Sequence, residues 1–163
     1  MFQSQDQPAD SAAYLTLGVM KYISLDSLPS YTKQELALHQ LDRAIQLLLD
    51  EKDAISAITL GGASEEILGE MVKLRGGVSA HQALIDDCVA SGRAIHNEEW
   101  KPAEFHEMFA YYRNELKHYR QGSDIFVTAE CAHPVLDRAI ENLRFLNLSE
   151  SAQVRKYLAD RWS

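Results

Sequence analysis

Long apolar runs are missing from this chain. Its most apolar stretch, residues 54–63, contains serine and threonine and is stopped by Glu65. That stretch is far shorter than the roughly 20 residues that a membrane-spanning helix needs. The first ten residues are polar and acidic, without the basic start and apolar segment of a secretory signal. We therefore expect a protein that has no membrane partner.

Cysteine is also scarce. The two cysteines, Cys88 and Cys131, stand far apart, and neither belongs to a C-x-x-C pair. Isolated cysteines in a chain without a secretory pattern are usually reduced thiols of an intracellular protein. We expect two partly buried thiols in a cytoplasmic protein.

Positive charge is in deficit, with 16 lysines and arginines against 24 aspartates and glutamates and a formal net charge of −8. The overall field of such a chain repels phosphate, which argues against a general nucleic-acid coat protein. The pairs Gly61-Gly62 and Gly76-Gly77 lack the spacing and the lysine of a phosphate-binding loop. Any contact with nucleic acid must then come from a local basic patch.

The chain of 163 residues, 46% of them hydrophobic, suits one globular domain. We expect residues 1–31 to form a polar tail and an extended arm (14–28), and residues 32–163 to form the helical domain. Helix patterns start near residues 32, 53, 79, 103, 134 and 150. Thr32 and Glu35 have the spacing of a capping box, and Gly76-Gly77 is a typical helix stop. Five or six helices with short connections predict an all-α helical bundle.

Several helical faces are candidates for the core. We expect Ala83, Leu84, Cys88 and Ile95 to be core positions of the third helix. A largely aromatic stripe marks the fourth helix, which is expected to run to about Tyr119. The stripe consists of Phe105, Phe109, Tyr112 and Leu116. The predicted apolar face of the fifth helix consists of Leu136, Ile140, Leu143 and Leu146.

The second helix has an unusual interior. Gly61, Gly62 and Gly69 each weaken a helix by about 1 kcal/mol relative to alanine. The usual compensation is close packing, and we expect a neighbouring backbone to need the space. Glu65 and Glu66 follow a very apolar turn. They are either a solvated or structurally paired edge or a buried functional pair, and the sequence leaves both interpretations open.

The end of the fourth helix carries the most unusual cluster, in which Arg113, Lys117, His118 and Arg120 lie within eight residues. Basic residues near a helix C-terminus are favoured by the helix dipole, so the cluster could be structural. It also suits a phosphodiester, because arginine binds phosphate through two parallel donors and histidine exchanges a proton near neutral pH. Since RNA carries its own 2′-OH nucleophile, Arg113 and His118 could cleave it without a metal.

The segment Arg113-Asn114-Glu115-Leu116-Lys117-His118 resembles the R-x(4–6)-H motif of the HEPN superfamily, with a polar residue after the arginine. The motif stands late in a helical chain, before the last long helix. Residues 36–69 also resemble the early helices of bacterial HEPN-like proteins, and the likeness covers about residues 36–146. It implies a helical bundle that commonly forms a homodimer with the motifs of both subunits facing one cleft.

Many members of that superfamily look like metal-independent endoribonucleases of toxin–antitoxin or phage-defence systems, which implies RNA as substrate, an antitoxin or other protein as partner, and no cofactor. By position, Arg113 would hold the scissile phosphate, His118 would be the acid/base and Asn114 would orient one of them. Charge alone suggests Lys117 and Arg120 as further phosphate contacts. Candidate supporting residues are Glu65 and Glu66. Other members only bind, so a non-catalytic binding or assembly module is the alternative.

A metal site is a rival interpretation. Glu115-x-x-His118 and Glu130-x-x-His133 both have the spacing found in carboxylate-bridged di-metal bundles. Pro134 suggests, however, that Glu130 precedes its helix.

The remaining histidines give weaker signals. His39 is expected on a polar flank and His81 on the surface. His96 and His106 flank a break at residues 100–102 and are a candidate metal pair.

Overall fold

The structure is a computed structural model that describes residues 29–118, 122 and 124–162. The predicted tail and the arm at residues 14–28 lie outside these ranges, and so does Arg120. Thr32 begins the compact helical unit. Within the described ranges, no helix combines the length and the apolar character needed to cross a membrane.

Six α-helices occur among the described residues, and we number them in chain order. They are α1 (Lys33–Leu49), α2 (Ala54–Leu74), α3 (Ala80–Ser91), α4 (Pro102–Glu115), α5 (His133–Phe145) and α6 (Ala152–Arg161). A π-helical turn, Gly92–His96, follows α3, and a 3₁₀ turn, Ala129–Cys131, precedes α5. No strand is present in the described ranges, so the predicted all-α bundle of five to six helices is confirmed.

The predicted start of α1 and stop of α2 are both confirmed. Glu35 N donates to the Thr32 hydroxyl at 3.1 Å, and Thr32 N donates back to the Glu35 carboxylate at 2.7 Å, which completes the capping box. After α2, Gly76 adopts a φ of +79°, the left-handed conformation that glycine accepts without a Cβ clash. Gly77 N then donates to Val72 O at 3.0 Å, closing the helix end.

The core lies where α2 packs against α1 and α5. All four predicted core residues of α5 are buried there, which confirms that prediction. The last helix adds two fully buried side chains, Val154 and Tyr157, to the same cluster. Burial of each such large apolar side chain stabilises the fold by about 1.5–3 kcal/mol. These buried faces therefore determine how the helices pack against one another.

The predicted core face of α3 is wrong. Leu84 and Ile95 are 36% and 74% exposed, Ala83 and Cys88 are half-buried, and the core contact of α3 comes from Ile85. The start of α3 is held by α5, since Ala80 N donates to Asn142 Oδ1 at 2.8 Å. The periodicity could not reveal this polar contact.

The fourth helix is shorter and less buried than its aromatic stripe predicts. It ends at Glu115 instead of near residue 119, and residues 116–118 continue as a turn. All four stripe residues are only half-buried, because α4 covers the edge of the bundle. The helix therefore presents one side to the core and another to solvent.

The glycines of α2 permit close packing as predicted, but side chains and not a neighbouring backbone occupy the space. A Cβ at Gly61 would lie 2.8 Å from Leu136 Cδ2, and one at Gly62 would lie 2.8 Å from Arg113 Cγ. Gly69 leaves the same kind of space for Asn142. Two of the three neighbours are polar, so this face of α2 is shaped for a polar site as well as for the core.

Candidate functional site

A buried carboxylate stands at the centre of the polar face of α2. The Glu65 side chain is 3% exposed, and Arg138 on α5 binds it through two donors. Arg138 Nε donates to Glu65 Oε1 at 2.6 Å, and Arg138 Nη2 donates to Oε2 at 3.3 Å. Nη2 also donates to Phe109 O at 3.1 Å. This fork-to-fork pairing is the strongest form of ion pair and ties α2 to α5.

The neighbouring carboxylate has the opposite environment. Glu66 is 57% exposed, and its Oε2 lies 3.4 Å from Lys117 Nζ. Successive residues of an α-helix point about 100° apart, so Glu66 faces solvent when Glu65 faces α5. Glu65 is therefore a buried, structurally paired carboxylate and Glu66 a solvated one.

Arg113 reaches the same carboxylate from α4, but less closely. Its Nη1 lies 3.8 Å from Glu65 Oε2, beyond the length of a hydrogen bond. Its stem packs on α2 at the place where Gly62 has no side chain. The packing directs Arg113 toward Glu65, while Arg138 already occupies the two carboxylate oxygens.

Two histidines continue the cluster away from Glu65. His81 Nδ1 lies 3.6 Å from Glu65 Oε1, and His81 Nε2 lies 3.1 Å from His106 Nδ1. The prediction that His81 is a surface residue is wrong, since its side chain is 19% exposed and its Nδ1 is buried. His106 pairs with His81 instead of with His96. The ring of His96 stacks on that of Trp100, with 5.1 Å between the ring centroids.

Opposing effects set the protonation of Glu65. Burial raises the pKa of its carboxyl, but the hydrogen bonds and charges of His81, Arg138 and Arg113 together outweigh burial, so the pKa is below its usual range. Glu65 is therefore ionised at neutral pH. The charge at the centre of the cluster is a permanent feature.

These side chains line one cavity of about 230 Å³. Ligand pockets for drug-sized molecules are about 300–1,000 Å³, so this cavity suits a small group such as a phosphate. Its lining is mainly polar and carries both signs of charge. The residues are Glu65, Glu66, Gly69, Glu70, Lys73, Ser79, His81, Gln82, His106, Arg113 and Asn142.

Only part of the predicted motif faces this cavity. Arg113 lines it, and Lys117 lies at its rim through the contact with Glu66. Asn114 is half-buried, and its carbonyl oxygen accepts from the backbone N–H groups of Lys117 and His118, each at 3.1 Å. His118 is exposed and does not line the cavity. Arg120 lies outside the described residues.

The sequence interpretation missed Arg138 and Asn142. Asn142 Oδ1 accepts from Ala80 N at 2.8 Å, and its Nδ2 donates to Glu65 O at 3.3 Å. The two residues are four apart on α5, directly beside its apolar face. The sequence contains this signal, because two polar residues four apart lie on the same side of a helix. Beside an apolar face, such a pair is expected to contact the neighbouring helix.

The metal alternative gains no support. Over residues 29–118 and 124–162, no three histidine, cysteine or acidic side chains come together in a group that could hold a metal ion. Glu130 lies in the 3₁₀ turn before α5, and His133 Nδ1 lies 3.0 Å from the Tyr157 hydroxyl. Tyr157 in turn donates to Asp137 at 2.7 Å, so His133 serves the contact between α5 and α6.

The resemblance to the HEPN superfamily rests on a short motif in a helical setting. No protein-family model, no curated protein and no solved structure matches this chain. The family assignment therefore stays a prediction, and function has to be inferred from the geometry of the cavity.

Proposed function

We propose that the protein is a metal-independent endoribonuclease, in which Arg113 binds the scissile phosphate. One observation carries the proposal: Arg113 lines a small polar cavity while a second arginine, Arg138, holds the buried carboxylate. If the only task of Arg113 were to neutralise Glu65, it would duplicate a two-donor ion pair that is already made. A guanidinium aimed into a cavity and held at 3.8 Å from a carboxylate is available for another anion.

His118 is the proposed proton-transfer residue. His118 N donates to Asn114 O at 3.1 Å, the i→i−4 contact of a helix, so His118 points away from Arg113 within one subunit. Convergence of the two side chains then relies on the reach of the arginine or on a second subunit. In cleavage, the 2′-oxygen bonds to phosphorus and the bond from phosphorus to the 5′-oxygen breaks. One group must accept a proton and another must supply one.

A homodimer and a protein partner such as an antitoxin belong to the same proposal. A second subunit would bring a further copy of the Arg113 and His118 segment toward the cavity. Sedimentation velocity of the purified full chain tests the homodimer directly, since a species of twice the chain mass is expected.

The test of the proposed activity is cleavage of total RNA and transfer RNA with EDTA present. The wild type should cut, and His118→Ala should lose activity by about 100-fold or more. His39→Ala is the matched control, because His39 is an exposed histidine on α1, away from the cavity. Absence of cleavage by the wild type would contradict the proposal, and equal loss in both variants would contradict the role of His118.

A second candidate function, a non-catalytic assembly module, is favoured by a separate groove of about 520 Å³ between α3 and α5. Its lining includes the exposed Leu84 and Phe145, together with Pro134 and Arg138. Arg138 Nη1 is buried without a hydrogen-bond acceptor among the described residues, which suits an acceptor supplied by a partner. Leu84→Glu should abolish self-association if copies of the chain meet in this groove, whereas unchanged sedimentation would exclude it as their interface.

A further inference from the structure

Glu65, His81 and His106 form a line that runs from the buried carboxylate into the cavity. The steps are 3.6 Å from Glu65 Oε1 to His81 Nδ1 and 3.1 Å from His81 Nε2 to His106 Nδ1. The first step is longer than a hydrogen bond, but the negative charge of Glu65 still favours a proton on Nδ1, the nearer ring nitrogen of His81. With both rings neutral, the proton between them then belongs to His106 Nδ1. This arrangement leaves the lone pair of His106 free on Nε2.

Arg113 and His106 are therefore complementary neighbours in one cavity. Both side chains line it, one as a permanent cation and the other as an exposed imidazole. The other two carboxylates of the lining are compensated at the rim, Glu66 by Lys117 at 3.4 Å and Glu70 by Lys73 at 2.8 Å. The remaining charge favours an anion beside Arg113 and His106.

The chain of contacts is more than a way to bury Glu65. Arg138 supplies two donors to that carboxylate and His81 stands beside it, but neither contact requires a second imidazole at His106. A histidine pair with a purely structural role would be expected to have its outer ring packed away, whereas His106 is exposed. The placement of the exposed imidazole at a cavity that also contains an arginine is unexplained by packing.

We propose that this cavity is a phosphate-binding subsite, in which Arg113 binds the phosphate group and His106 Nε2, lining the same cavity, accepts a proton. Glu65 and His81 are positioning residues that fix the tautomer of His106. The identity of the phosphate as an RNA phosphodiester rests on the proposed function. In that reaction His106 takes the proton of the 2′-OH as the new oxygen–phosphorus bond forms. His118 gives a proton to the departing 5′-oxygen, which yields a 2′,3′-cyclic phosphate and a 5′-hydroxyl.

Inorganic phosphate is the probe for the first test, with the full chain labelled with ¹⁵N at histidine. We expect the ring-nitrogen resonances of His106 and His81 to shift along a saturable curve, while those of His39 stay in place. Arg113→Lys should weaken the phosphate affinity by about tenfold, because lysine cannot make the two parallel contacts. Resonances of His106 and His81 that stay unchanged throughout the titration would overturn the proposal.

Cleavage of RNA gives the second readout, with His106→Gln compared with His39→Gln in EDTA. His106→Gln should slow cleavage by about 100-fold while His39→Gln stays at the wild-type rate. His81→Gln should shift the pH profile of the rate, which a merely structural residue would not do. Unchanged cleavage by His106→Gln would overturn its role in proton transfer.

The two tests separate the two proposals. A wild type that binds phosphate at His106 but cuts no RNA would support the subsite and refute the ribonuclease. A wild type that cuts RNA with His106 silent in the phosphate titration would support the ribonuclease and refute the subsite.

Discussion

Glu65 and Glu66 are adjacent, identical in side chain and opposite in environment. Glu65 is 3% exposed and is bound by two donors of Arg138, whereas Glu66 is 57% exposed and meets one lysine at 3.4 Å. An exposed ion pair is screened by water and contributes about 0–1 kcal/mol, but removal of one partner from a buried pair costs about 3–5 kcal/mol. The ion pair of Glu65 therefore stabilises the fold, whereas the ion pair of the adjacent Glu66 is dispensable for folding.

The comparison extends to the two arginines around Glu65. Arg138 is buried and hydrogen-bonded to the carboxylate, while Arg113 stands at 3.8 Å and lines the cavity. One guanidinium satisfies the buried charge and the other remains available to a ligand. Stability should therefore depend mainly on Arg138, and function mainly on Arg113.

The largest expected effect is that of Arg138→Met. The substitution leaves Glu65 buried without its two-donor partner, so the free energy of unfolding should fall by about 3–5 kcal/mol. Urea denaturation measures it, with Arg144→Met as the control on the same helix, since the ion pairs of Arg144 are at the surface. Similar losses in both variants would contradict the distinction between buried and exposed pairs.

The second prediction concerns pH. The folded-state pKa of Glu65 is lowered, so its contribution to stability is present above the unfolded pKa and is lost as pH falls through the folded pKa. The stability difference between wild type and Glu65→Gln should therefore shrink as the solution is acidified through that range. Glu66→Gln is the matched control, and urea denaturation at a series of pH values makes the comparison. A difference that stays constant with pH would argue against an ionised Glu65.

Substitution of the two adjacent glycines should separate the core from the site. An added Cβ lies 2.8 Å from Leu136 Cδ2 in Gly61→Ala and 2.8 Å from Arg113 Cγ in Gly62→Ala. Overpacking costs about 1–3 kcal/mol, and both contacts are close enough to cause it, since the Gly62 Cβ would meet the part of Arg113 near its backbone. Both variants should lower the free energy of unfolding, and only Gly62→Ala, which displaces Arg113, should weaken phosphate binding and RNA cleavage. Urea denaturation measures the stability of the two variants, and the cleavage assay measures their activity. Slow cleavage by Gly61→Ala together with wild-type cleavage by Gly62→Ala would contradict the prediction.

The smallest expected effect is that of Lys117→Gln, which removes the exposed partner of Glu66. Its change in the free energy of unfolding should stay within about 0.5 kcal/mol by urea denaturation. Lys33→Gln is a suitable surface control on α1, because Lys33 is also exposed. A loss comparable to that of Arg138→Met would mean that the Glu66 pair is structural after all.

Helix existence was predictable because its causes are local. The capping box at Thr32 and the left-handed turn at Gly76 are short-range features, and the apolar face of α5 repeats with the helical period. The contact that holds the start of α3 was not predictable, since Ala80 and Asn142 are 62 residues apart in the chain.

The site was predictable only in part for the same reason. Arg113 and Lys117 stand in one visible motif, but His81, His106 and Arg138 come from three helices. Glu65 contacts His81 and Arg138, and His81 contacts His106. No pattern along the chain joins these three residues. The signal that could have found Arg138 is its step of four residues from Asn142 beside a buried face.

The most direct measurement is the rate of RNA cleavage in EDTA by Arg113→Lys, taken together with its urea denaturation curve. If Arg113 binds the phosphate while Arg138 holds Glu65, cleavage should be about 100-fold slower and the free energy of unfolding nearly unchanged. Wild-type cleavage by this variant, or a loss of activity that only follows a loss of stability, would contradict that division of roles.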